Sequence, residues 1–90
     1  MSQKLTPARV PTPGKILSRE IEVRGWTQKY LAEMMNCAVL TINEIIKGKK
    51  EITPEIAMKL SQALDTTPDF WINLEVQYKL HLVSKDNKVN

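Results

Sequence analysis

Thr12-Pro13, Thr53-Pro54 and Thr67-Pro68 each stand at the head of a stretch in which apolar residues recur every three or four positions, and this restricts the chain to helices. A threonine just before a helix offers its hydroxyl oxygen to the unpaired N–H groups of the first turn. A proline at the first helical position lacks only an N–H that the helix does not need there. A fourth pair, Thr6-Pro7, has no apolar pattern behind it and is not read as a start.

These starts divide the chain. The first helix is expected from Pro13 to about Arg24, with Leu17 and Ile21 inward and Gly25 as the left-handed stop. Thr27 caps a second helix, with Trp26 placed as a hydrophobic staple against Leu31. There Leu31, Met34 and Met35 are expected inward, Lys29 and Glu33 outward, and Asn36 at the end. A third helix, about Val39 to Lys47, sets Ile42, Ile45 and Ile46 on one stripe and Leu40, Asn43, Glu44 and Lys47 on the other, and Gly48 stops it. The fourth, after Thr53, aligns Ile56, Ala57, Leu60, Ala63 and Leu64, and Asp65 to Thr67 form its last turn. The fifth, Pro68 to roughly Leu82, has Phe70, Trp71, Leu74 and Tyr78 along one side and Ile72, Val76, Leu80 and Val83 along another. The fold class is all-α, a five-helix bundle. Residues 1–11 are expected as a loose arm, 12–83 as the domain and 84–90 as a polar tail.

Ninety residues can bury one modest core. Cys37 and His81 are the only cysteine and histidine, so within one chain there is no disulfide and no zinc finger. Neither metal nor cofactor is expected. With scattered carboxylates and no converging acid and base, an enzyme is not expected either. Cys37 reads as a small hydrophobe in a turn and His81 as an exposed residue. No signal peptide or membrane-length apolar run is seen, and a cytoplasmic protein is expected. Residues 1–50 hold nine Lys or Arg against four Asp or Glu, whereas 51–90 hold four against six. A basic first half suits a polyanion and leaves the second half for protein contacts; an ordinary solvated surface is the alternative.

Between the second and third helices lie only Asn36, Cys37 and Ala38, the spacing of a DNA-binding helix-turn-helix, though any small helical bundle needs tight turns too. Thr27-Gln28, Leu31-Ala32, Ile42 and Lys47-Gly48-Lys49 resemble the signature of the phage-repressor-like (Cro/C1, or XRE) helix-turn-helix family. Pro13-Gly14-Lys15-Ile16-Leu17, Arg24-Gly25-Trp26-Thr27-Gln28, Ile45-Ile46-Lys47-Gly48-Lys49-Lys50, Ile52-Thr53-Pro54-Glu55 and Phe70-Trp71-Ile72-Asn73-Leu74 are similar, in the same order, to HigA-type (VapI-like) antitoxins. The resemblance spans about residues 11 to 80.

It implies a compact lambda-repressor-like bundle that binds double-stranded operator DNA, neutralises a HigB-like messenger-RNA nuclease from the same operon, and represses that operon as a homodimer. It also implies that Phe70 enters the core and that Gln28 meets the DNA backbone. Two departures stand out. Asn36 replaces a frequent glycine, and Ala38 replaces the usual capping Ser or Thr, a loss of about 1 kcal/mol to a short helix.

Val39, Leu40, Asn43 and Glu44 are the expected base-reading residues: the first two against thymine methyl groups, Asn43 with adenine, Glu44 with cytosine. Thr27, Gln28, Thr41, Lys47, Lys49 and Lys50 are expected on phosphates. Ile72, Val76, Leu80 and Val83 are expected to dimerise, because one monomer core can bury only one stripe of the last helix. Two other functions remain open at this stage: a stand-alone repressor without a toxin, and a protein-interaction module whose apolar Val39-Leu40 tip has lost its DNA-reading role.

Overall fold

The structure of the protein is a computed structural model that describes residues 10–86. It contains five helices and, among the described residues, no strand: α1 (Pro13–Val23), α2 (Gln28–Met35), α3 (Val39–Ile46), α4 (Pro54–Leu64) and α5 (Pro68–Asp86). The greater part of the expected arm, with Thr6-Pro7, and the last four residues of the expected tail lie outside the described residues.

The threonines act as their spacing requires. The hydroxyl oxygens of Thr12, Thr27, Thr53 and Thr67 accept from the N–H groups of Lys15, Tyr30, Ile56 and Phe70 at 3.1, 3.0, 3.3 and 3.2 Å. Each such cap is worth about 1 kcal/mol. Ala38, at the cap position of α3, makes no side-chain bond. α3 is held instead by its other end, where Gly48 at φ 77° lets its own N–H reach Ile45 O and the Lys49 N–H reach Glu44 O at 2.8 Å. Asn36 closes α2 in the same left-handed conformation, at φ 54°. Asp65 closes α4 in the same way, at φ 59°, a stop that only the tolerance of Asp for this region marks in the sequence.

α3 packs on α1 and α2, α4 on α2, and α5 closes over α1 and α4. Leu17, Leu31, Ile42, Ile45, Leu60 and Leu64 meet in the middle, and burial of each is worth roughly 1.5–3 kcal/mol. α1 lies unusually close to α3. A methyl group on Gly14 would fall 2.5 Å from the Ile46 carbonyl oxygen and closer still to that of Ile45.

Four sequence expectations are corrected. Trp71, not Phe70, enters the core: Trp71 is 0% exposed and donates its indole N–H to Thr66 Oγ1 at 2.8 Å. Phe70 stays 40% exposed, edge-on to Trp71 with ring centroids 5.0 Å apart. Met35 is buried, but Met34 lies one residue round the helix and is exposed. His81 is half-buried rather than exposed. Finally, α5 continues to Asp86, past the expected end at Leu82 and into the expected polar tail, since no Gly or Pro follows to stop it.

Candidate nucleic-acid interface

Thr27 to Lys47 forms two short helices joined by Asn36, Cys37 and Ala38. Their relative angle is fixed from beneath by Leu31, Ala32, Met35, Ile42 and Ile45, all buried. Cys37 packs against this core, and burial pushes its thiol above the usual range, with Lys59 opposing the shift. It is a half-buried packing group in the turn, as the sequence suggests.

With the inner face of α3 so occupied, the outer face is left free. Val39 and Leu40 are exposed in its first turn, Leu40 by 62%. Thr41, Asn43 and Glu44 are half-buried, and Lys47 is exposed at the C-cap. Asn43 is tied across the motif: its Nδ2 donates to Gln28 Oε1 at 3.3 Å. That bond uses one amide hydrogen of Asn43, leaving its Oδ1 and second N–H available, and turns the Nε2 donors of Gln28 away from the pair. The oxygen of Thr27 is engaged as the α2 cap, which leaves its hydroxyl hydrogen to donate outward.

Beyond α3, Lys49 and Lys50 are exposed in the segment leading to α4, and neither they nor Lys47 is ion-paired among the described residues. The structure brings Gln28 and Asn43 together across the motif and sets Leu40, Asn43, Glu44 and Lys47 on the face of α3 opposite the buried Ile42 and Ile45, with Val39 and Thr41 on its flanks; Thr27 lies at the head of α2, and Lys49 and Lys50 in the segment after α3. The four expected dimerisation residues lie elsewhere, on α5: Ile72 half-buried, with Val76, Leu80 and Val83 exposed.

Three contributors escaped the sequence reading. Arg24 bonds Glu20 at 2.6 Å, donates to the Leu64 carbonyl at 2.9 Å and lies 5.5 Å from the Trp26 ring centroid, joining the ends of α1 and α4 beside the start of α2. Glu75 accepts from the Ile52 N–H at 3.1 Å. Lys79 meets Glu51 at 2.7 Å, and this hydrogen bond raises the lysine's pKa above the ordinary value. The Glu75-Lys79 spacing of four marks one helix face, but no periodicity reveals that its partner is a loop over twenty residues upstream.

Among the described residues there is no cluster of metal-ligating side chains and no helix long and apolar enough to cross a membrane. The family described as Helix-turn-helix matches residues 19–71. The HTH-type transcriptional regulator YddM of Escherichia coli is 32% identical over 73 residues, 81% of this chain and 78% of that protein. Antitoxin HigA-1 of Vibrio cholerae is 38% identical over 71 residues, 78% of this chain and 67% of that protein. Antitoxin HigA of Pseudomonas aeruginosa, solved with the higBA promoter, superposes with a TM-score of 0.83 at 29% identity, covering 88% of this chain and 87% of that one. On the matched motif, the relatives and the shared five-helix fold, this chain belongs to the XRE-type helix-turn-helix family, among its HigA-type members, and is a DNA-binding regulator of that family rather than an enzyme.

Proposed function

We propose that the protein is the antitoxin of a two-gene module, which in the cytoplasm binds its own operator as a homodimer, represses the operon, and neutralises a HigB-like ribonuclease encoded beside it. The observation that carries the DNA half of this reading is the outer face of α3, where a tied Gln28-Asn43 pair is followed by Lys47, Lys49 and Lys50, exposed and without an ion pair among the described residues. α3 enters the major groove, with Val39 and Leu40 against thymine methyl groups, Asn43 on adenine and Glu44 on a cytosine amino group. Thr27, Gln28, Thr41, Lys47, Lys49 and Lys50 hold the backbone, and the dimer sets two half-sites roughly 34 Å apart.

Toxin neutralisation is supported by likeness to proteins named antitoxins and by the near-neutral second half with its exposed apolar residues. Co-expression with the neighbouring reading frame tests it. The expected result is rescue of growth from a toxic neighbour and one complex on size exclusion. A harmless neighbour, or two separate peaks, would support the stand-alone repressor instead, a reading favoured by the likeness to YddM, named a transcriptional regulator.

A further inference from the structure

Lys47, Lys49 and Lys50 sit on a segment, residues 47–53, that has no helix or strand of its own to fix it. Its near end is closed onto α3 by the Lys49 N–H to Glu44 carbonyl bond. Its far end is anchored by the buried Ile52 side chain and by Thr53 at the head of α4, and two carboxylate contacts tie it to α5: Glu75 Oε1 takes the Ile52 N–H at 3.1 Å, and Glu51 Oε1 meets Lys79 Nζ at 2.7 Å. Ile52 is itself buried, so the Glu75 bond satisfies a backbone donor that has little access to water.

We propose that Glu75, assisted by the Glu51-Lys79 pair, is a positioning residue for DNA binding: it holds the lysine segment in the conformation in which its ammonium groups face the phosphate backbone. This rests on the docking given above. It makes α5 part of the DNA-binding apparatus as well as the cover of the core.

As charges and as anchors, the two carboxylates act on DNA binding with opposite signs. Carboxylates beside phosphate-facing lysines repel a polyanion, so as mere charges Glu51 and Glu75 weaken DNA binding and their removal tightens it. As anchors they order three cations, and their removal weakens it.

The full chain and its Glu75→Ala, Glu75→Gln and Glu51→Ala variants are titrated with a duplex of the DNA upstream of the gene, and with a scrambled duplex, at several salt concentrations. Melting temperatures are recorded alongside. Glu75→Ala is expected to bind both duplexes about three- to tenfold more weakly, with a shallower salt dependence because fewer ordered cations displace counterions. Glu75→Gln keeps an oxygen to accept the Ile52 N–H and is expected to restore binding to the wild-type level or better. Glu51→Ala, at a position 65% exposed where folding is not at stake, is expected to bind about twofold more weakly. Unchanged or tighter binding by Glu75→Ala would overturn the proposal. If that variant does not fold, unchanged or tighter binding by Glu51→Ala would do the same. A wild-type chain that binds neither duplex overturns the docking itself, a result distinct from the variants matching a wild type that does bind.

Discussion

Gly14 has carbonyl oxygens of α3 where its side chain would be, and these belong to a backbone that cannot swing aside as a flexible side chain could. Alanine at a helical position normally gains up to about 1 kcal/mol over glycine. Here overpacking outweighs that gain, and Gly14→Ala is expected to destabilise by about 1–3 kcal/mol net. For a domain of this size that is a fall of roughly 4–8 °C in melting temperature per kcal/mol, measurable by circular dichroism. A melting temperature equal to or above that of the wild type would show that α1 and α3 separate without cost. The sequence contained a hint, since a glycine inside a predicted helix needs a reason, but not the neighbour that supplies it. Trp71 was obscured in the same way. Adjacent aromatics on a helix lie about 100° apart, so periodicity sets both near the core without ranking them. What ranks them is Thr66, placed to accept the indole N–H that burial would otherwise strand. Met34 and Met35 differ likewise by one step around α2.

Helix starts were the most legible elements, because each depends on local chemistry: four threonines bond the N–H three residues on. Stops were legible where Gly25, Asn36 and Gly48 mark them, and less so at Asp65. The end of α5 was not, since nothing local dictates it. That helix also bears the dimerisation claim. Trp71 and Leu74 face the core, while Val76, Leu80 and Val83, spaced by four and three, share the outward side, Leu80 57% exposed. Burying such a stripe against its copy removes several apolar side chains from water at once, and two opposed carboxylates there would abolish the gain. Val76→Glu combined with Leu80→Glu is therefore expected to convert a dimer into a monomer in light scattering, with the helical circular dichroism retained. An unchanged dimer mass would move the interface to another face of the molecule.

At the scale of the whole molecule, a small core serves chiefly to hold one helix in a fixed attitude. α1 and α2 pack against the inner face of α3, α4 supports α2, and α5 closes the bundle and grips the lysine segment. The charge asymmetry follows this division, with the excess of cations in the half that contains α3 and its flanking segment. The fold class was legible from spacing and caps. The bond that couples Gln28 to Asn43 was not, because it depends on how two helices cross. Base contacts and phosphate contacts leave different signatures. The most direct test is quantitative binding of the wild type, Asn43→Ala and Lys49→Ala to the upstream duplex and to a scrambled one across a salt series. Asn43→Ala is expected to reduce discrimination between the duplexes, by about 1–3 kcal/mol at one base position. Lys49→Ala should weaken both duplexes alike and lower the salt slope by about one. Discrimination lost with Lys49→Ala and kept with Asn43→Ala would contradict the placement of α3 in the major groove.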